Sequence, residues 1–337
     1  MKVQCFNGHE RKGKELRCII CNQPFEIIPD QKYTGNIEDN FPYVNKWLSL
    51  GEVETPIVQC SDDLFFKLDY FSPTYSYKDR GTRVLMSYLK SQKETHIKNI
   101  NEDSSGNAGA SIAAYSRKAG FDANIFVPEN ANASKLKQIE AYGANIIKIK
   151  GSRDDVQIAA ENAPGIYASH ILNPEFRDGI RTLAYEIFKQ FQNMPDNIFI
   201  PVSAGTLLSG LFSGLKHLKE SGEIKKIPEL VAVQPNIISP LCSVANGTYY
   251  NPDNDKTSIA DALVAKKPVL LKKMSEIIKD GNSCITVSEK EIIEARKDLA
   301  LKGIYAEYSS ATVFAAYRKK TFNGSSLLVL TGNGLKN

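Results

Sequence analysis

The chain has 337 residues, 42% of them hydrophobic and 24% charged, with a formal net charge of +4. That length exceeds one core and predicts two lobes of roughly 100 to 200 residues. No window approaches the roughly 18 apolar residues of a membrane span. The opening MKVQCFNGHERKGKELRC lacks the apolar region of a secretory signal, and basic residues are interleaved with acidic ones. The composition therefore predicts a cytoplasmic protein with no membrane or nucleic-acid partner.

In chain order, residues 1–30 form a cysteine-containing arm. Cys5, His9, Cys18 and Cys21 have the ligand types of a tetrahedral zinc site, with a Cys-x2-Cys spacing at one end. A degenerate arm without metal is the alternative. The arm's five basic against two acidic residues before Cys18 read as ordinary solvation. Cys60, Cys242 and Cys284 lie among apolar or strand-like residues and read as packing, so six scattered cysteines predict reduced thiols. Next comes SPTYSYKDRG, Ser72 to Gly81, running directly into the helix-like VLMSYLK.

From about Asn99 short apolar runs alternate with helical patterns: NINED then GASIAAYSRKAG, NIFVP then ASKLKQIEAYG, NIIKIKG then SRDDVQIAAENA. DNIFIPVSAG then precedes TLLSGLFSGLKHLKES, ELVAVQP opens another unit, and SSLLVLTGNG follows near the end. Repeated βα units predict parallel sheets covered by helices, with ligands at the carboxyl ends of the strands. KKPVLLKKMSEIIKDG reads as a solvated amphipathic helix.

The loops after the strands carry the chemistry. PVSAGTLLSG runs from a strand into a helix through Ser203, Ala204, Gly205 and Thr206, offering backbone N–H groups and a helix dipole to a phosphate. EDSSGNAG and LTGNG have similar small-residue turns. Singly, each is an ordinary turn. Lys78, between Tyr77 and Asp79, is by default a surface lysine. A lysine used in Schiff-base chemistry must instead lose its proton near neutral pH, which a partly buried loop can bring about.

Taken together, SPTYSYKDRG, DSSGNAGASIAAYSRKAG, PVSAGTLLSG, EYSSATVFAAY and LTGNGLK resemble, in order, the motifs of the threonine synthase family of fold type II pyridoxal-phosphate enzymes. The resemblance covers residues about 50 to 337. It implies an α/β fold like that of tryptophan synthase β, with two domains, each a mostly parallel sheet flanked by helices. The large cofactor-binding domain would comprise 31–83 and 176–337, and the small mobile domain 84–175. It further implies that Lys78 bonds covalently to pyridoxal 5'-phosphate and that Asn107 binds the ring hydroxyl. Ser203, Ala204, Gly205, Thr206 and Leu207 would hold the phosphate, and Thr331 would face the ring nitrogen. Ser104, Ser105 and Gly106 would bind the substrate carboxylate. The implied activity converts O-phosphohomoserine and water to threonine and phosphate by γ-elimination and β-hydration. The resemblance leaves a homodimer and a monomer both open.

The match departs at ASHILNPEFRDGIRT, where the family carries ligands for the substrate phosphate. Arg177 falls one residue late, Arg181 stands in place of a lysine, and Ser169 with His170 replaces an Asn-Ser pair. By itself His170 is a structural hydrogen-bonder, although from this loop it could touch an anionic substrate. The departures motivate a rival activity on O-phosphoserine or a related amino acid: β-replacement as in cysteate synthase-like relatives, or dehydration. A pyridoxal-phosphate binding protein without catalysis is a third reading, against which Lys78 argues.

Overall fold

The computed structural model describes residues 1–92, 98–131 and 133–336. In chain order it runs through β1 (Lys2–Cys5), β2 (Phe25–Ile28), β3 (Ile57–Ser61), β4 (Leu64–Leu68), α1 (Lys78–Ser91), β5 (Asn99–Glu102), α2 (Asn107–Ala119) and β6 (Asp122–Pro128). There follow α3 (Ala133–Ala141), β7 (Asn145–Ile149), α4 (Arg153–Asn162), β8 (Ile166–Tyr167), α5 (Pro174–Gly179), α6 (Arg181–Gln190), β9 (Asn197–Pro201) and α7 (Thr206–Glu220). The chain continues through β10 (Glu229–Pro235), α8 (Pro240–Asn246), α9 (Leu271–Lys279), β11 (Ser283–Val287), α10 (Glu289–Leu301), α11 (Tyr308–Tyr317) and β12 (Ser326–Leu330).

Two α/β layers result. The larger sheet has the order β11-β10-β9-β12-β4-β3, parallel except where β3 runs antiparallel along β4. The smaller sheet, β7-β6-β5-β8, is parallel throughout. β9 and β12 are apolar runs buried at every position, as strands covered by helices on both faces must be. β3, at the sheet edge, is largely exposed. The expected βα repeats are therefore present, while β3, β4 and β11 carried no sequence signal strong enough to be read. The lysine-rich stretch forms α9, with Met274, Ile277 and Ile278 buried. No helix of the described residues is long and apolar enough to cross a membrane.

α1 and α5 lie unusually close. A Cβ on Gly81 would sit 2.5 Å from the Phe176 ring, and one on Gly179 would sit 2.7 Å from the Arg80 carbonyl. Only glycine permits this approach, which brings the His170–Phe176 segment beside the helix that begins at Lys78.

The first turn of α1 is fixed by a buried charge cluster. Arg80 Nε donates to both Asp69 oxygens at 3.0 Å, while its terminal nitrogens reach Glu186 at 3.0 and 2.9 Å and Thr55 Oγ1 at 3.2 Å. Lys67 Nζ, fully buried, binds Glu186 at 2.5 Å. Burial alone would raise the Glu186 carboxyl, but Arg80 and Lys67 outweigh it and hold the group at about 2.

One expectation fails. Cys242 and Cys284 are not reduced packing residues but form a disulfide, with Cα atoms 5.1 Å apart. α8 packs against β10 and β11, and this places the two apolar environments in one layer, a proximity that a separation of 42 residues hides in the sequence. Cys5, Cys18, Cys21 and Cys60 are free.

Two predictions follow from these contacts. Glu186 has an ordinary value of 4.5 and is held at about 2, so its contribution is present above pH 4.5 and lost as the pH falls towards 2. Urea unfolding followed across that range should lose about 3 kcal/mol in the wild type beyond what Glu186→Gln loses. Reductant should lower stability by roughly 2–4 kcal/mol in the wild type and leave Cys242→Ser unchanged.

Candidate active site

Three loops at strand ends converge on Lys78. The first precedes it: Tyr75 takes a left-handed φ of +64°, a costly conformation for a residue with a Cβ. Its carbonyl accepts from Asn333 N–H at 3.2 Å, Tyr77 N–H donates to the Thr331 carbonyl at 3.0 Å, and Ser76 pairs with Gly332. The lysine loop and the loop after β12 are thus laced together along their backbones. Asp79 locks the turn from beneath, accepting from Thr74 N at 2.7 Å and from the hydroxyls of Thr74 and Ser111 at 2.6 Å each. Burial pushes that carboxyl up, against these hydrogen bonds.

Lys78 itself is half-buried, its ammonium 4.8 Å from the Tyr77 ring centre and 6.0 Å from that of Phe176. Among the described residues it has no hydrogen-bond or ion-pair partner. An amine held over two rings, with no ion pair among the described residues, is available for chemistry.

Around it the helix starts are bare. α4 and α10 are closed by capping boxes from Ser152–Asp155 and Ser288–Glu291. α1, α2 and α7 have no side-chain cap. At α1 the N–H groups of Asp79 and Arg80 are taken by the Ser76 and Tyr77 carbonyls, whereas the first-turn N–H groups and positive dipole ends of α2 and α7 remain for an anion. At α7 the turn Ser203-Ala204-Gly205 passes through Gly205 at φ +99°, where a Cβ would strike the Met274 sulfur at 2.5 Å. The chain therefore runs straight into Thr206 and Leu207, whose N–H groups open the helix. At α2 the small residues Ser104, Ser105 and Gly106 lead to Asn107; a Cβ on Gly109 would lie 2.0 Å from the Ser104 carbonyl, so this loop folds tightly onto the helix.

Asn107 and Thr331 complete the enclosure. Asn107 Nδ2 donates to both Glu307 oxygens at 3.1 and 3.2 Å, and Glu307 occupies the space that a side chain at Gly332 would need. Thr331 is held through Ser310, whose Oγ accepts from the N–H groups of Thr331 and Gly332 at 3.0 and 2.8 Å and lies 3.1 Å from Thr331 Oγ1. An uncapped helix for a phosphate, a free lysine, and an amide and a hydroxyl for the polar edge of a ring together fit pyridoxal phosphate.

The substrate loop is arranged differently from expectation. Ser169 Oγ accepts from the N–H groups of Ile171 and Leu172 and so closes its own turn. His170 Nδ1 lies 2.6 Å from Glu102 Oε1, and its carbonyl accepts from Thr206 Oγ1 at 3.4 Å, which ties this loop to the phosphate turn. Burial and neighbouring Asp103 push Glu102 well up, while burial and the charge of Lys78 push His170 well down. Glu102 is thereby biased towards its protonated form and His170 towards its neutral one. Asp103 pairs with Arg153 at 2.5 Å. The two expected arginines point elsewhere. Arg177 donates to the carbonyls of Ile171 and Phe25. Arg181 is buried and bound by Asp178, Tyr185 Oη and the Asn40 carbonyl.

Sequence reasoning missed Glu102, Asp103, Glu307 and Ser310. Their signal was present as two acids at a strand end in a loop of small residues, and as the EYSS that opens α11.

Comparison with known proteins agrees with this geometry. A family model described as pyridoxal-phosphate dependent enzyme matches residues 48–332. The chain belongs to that family. It is 31% identical to the threonine synthase of Methanocaldococcus jannaschii, over 87% of this chain and 77% of that one. It is 27% identical to that of Methanosarcina acetivorans, over 94% and 85%. A pyridoxal 5'-phosphate-dependent aspartate racemase shares the fold with a TM-score of 0.71 at 24% identity, covering 83% of this chain and 90% of that one. Serine racemase from Dictyostelium discoideum superposes with a TM-score of 0.70 at 26% identity, covering 88% and 96%. The protein is a fold type II, threonine synthase-like lyase that uses pyridoxal phosphate and acts on an amino acid.

The expected attachment point is checked directly. Borohydride reduction of the loaded protein followed by peptide mapping should leave the cofactor's mass on the peptide containing Lys78, and Lys78→Ala should carry none.

Proposed function

We propose that the protein converts O-phosphohomoserine and water to threonine and phosphate. The observation that supports this reading is the Lys78 ammonium, without a hydrogen-bond or ion-pair partner among the described residues, in a chain that also leaves the starts of α2 and α7 uncapped and is similar to threonine synthases. Lys78 would anchor the cofactor, Thr206 and Leu207 with the preceding Ser203–Gly205 turn would hold its phosphate, and Asn107 and Thr331 would meet its ring. Bound pyridoxal phosphate supplies an electron sink for the charge left at the substrate Cα. The N–H groups of Ser104, Ser105 and Gly106 orient the substrate carboxylate. With its amine free, Lys78 Nζ would take the proton from the substrate Cα and return protons to the substrate's later carbons, a general base and acid in one position. Movement of the unit built on β5–β8 against the larger sheet would exclude bulk water during these steps.

A second reading has its own observation. Arg177 and Arg181 are committed to other partners, and the loop presents the buried Glu102–His170 hydrogen bond instead, with burial favouring a proton on Glu102. That pair suits protonation of a leaving oxygen on a shorter amino acid, which favours β-elimination or replacement on O-phosphoserine or a related substrate.

A parallel assay of the loaded enzyme with O-phosphohomoserine, O-phosphoserine and serine separates the two readings. Threonine and phosphate from the first substrate alone support the first. Turnover of the β-substituted substrates alone supports the second. In either case Lys78→Ala should lower turnover by roughly 10³-fold or more without changing the far-UV circular dichroism.

A further inference from the structure

The arm brings together four groups that the reaction does not use. Cys5 Sγ lies 3.4 Å from His9 Nδ1 and 3.6 Å from Cys21 Sγ, and Cys18 Sγ lies 3.5 Å from His9 Nδ1. All four ligand atoms fall within 4.8 Å of one another. With Zn–S near 2.3 Å and Zn–N near 2.0–2.1 Å, the ligand atoms of a tetrahedral zinc site stand about 3.4–3.8 Å apart.

The backbone is shaped to the same end. Between Cys5 and His9 the chain turns through Gly8 at φ +84°, with Cys5 N–H on the His9 carbonyl at 2.8 Å and Gly8 N–H on the Cys5 carbonyl at 2.7 Å. Beyond Cys21 it turns through Asn22 at φ +55°, with Asn22 N–H on the Cys18 carbonyl at 2.7 Å and Cys18 N–H on the Gln23 carbonyl at 2.9 Å. Two tight left-handed turns thus each aim a pair of ligands at one point. Little else holds the arm's interior: its core is Cys5, Cys18 and Phe25 with Val3 and Cys21 against them. A two-stranded ribbon such as β1–β2 is marginal without a further fastening. Three sulfurs and one imidazole nitrogen in a closed tetrahedral set select zinc over harder cations.

We propose that Cys5, His9, Cys18 and Cys21 bind one zinc ion as a structural centre that fastens the arm to the helices beneath the active site. The fastening is visible on the protein side. Arg11 forms a buried ion pair with Glu175 of α5 at 2.7 Å, Arg177 of α5 donates to the Phe25 carbonyl, and Lys273 of α9 reaches Glu26 at 2.8 Å. α9 also carries Met274, which abuts Gly205 of the phosphate turn.

The test is metal analysis of the full-length, cofactor-loaded protein after dialysis into metal-free buffer. About one zinc per chain is expected in the wild type and in Cys60→Ser, with a drop of about tenfold or more in Cys18→Ser and in Cys21→Ser. A folded wild type holding less than about a tenth of a zinc ion per chain overturns the proposal, as does full zinc in those variants. Should the variants fail to fold, titrating the native wild type with a mercurial while a chromogenic chelator reports released metal decides the matter. Release of about one zinc in step with three thiols supports the centre. Thiols that titrate without metal release, or a Cys5–Cys21 disulfide in place of thiols, overturn it.

Discussion

The site depends on Arg80 being held in one place. Two residues beyond Lys78, its guanidinium is gripped by Asp69 at the end of β4 and Glu186 on α6, while Lys67 of β4 neutralises the excess acid. A buried set of charges is poor value as raw stability, because desolvation offsets most of the attraction, but it is strongly directional. Displacing α1 by an ångström would leave uncompensated charges in the core. The helix that presents Lys78 is thereby referenced to the larger sheet, and the loops that meet it are referenced to the helix through Asp79, Thr331 and the Tyr75 carbonyl.

Much of this was legible in the sequence because it follows from backbone chemistry. Alternating apolar runs and helical patterns show where β5, β6, β9, β10 and β12 end, and the small residues after them show where backbone can be left bare. Lys78, Asn107, the Ser203–Leu207 turn and Thr331 stand on those loops, and hydrogen bonds tie the lysine loop to the loop of Thr331 and the Thr206 turn to that of His170. What escaped were long-range pairings. Arg177 and Arg181 look like substrate ligands from their spacing, but neither motif nor periodicity indicates that the carbonyls of Phe25 and Asn40, at separations of 152 and 141 residues, have already taken them. The Cys242–Cys284 bridge was hidden for the same reason. Burial of Glu102 and His170, which biases a nominally charged pair towards its neutral form, is likewise a property of the assembled layers.

Glu102 and Asp103 together bring two carboxyl groups near Lys78, and burial drives Glu102 towards its protonated form while Asp103 pairs with Arg153. The negative charge beside the lysine is thereby reduced, and the uncapped starts of α2 and α7 add the positive ends of two helix dipoles.

The sheet order β11-β10-β9-β12-β4-β3 carries a consequence for the time course of folding. β12, which a ribosome delivers after every other strand, sits between β9 and β4 in the interior of the sheet, not at its edge. Until it emerges, β4 and β9 have no common neighbour, Thr331 is missing, and the loop bent at Tyr75 has nothing to pair with. The β5–β8 unit, contiguous in sequence, can assemble earlier. From the synthesis of β9 to that of β12 the larger sheet therefore lacks the strand between β9 and β4, and β12 supplies both that strand and the loop that carries Thr331.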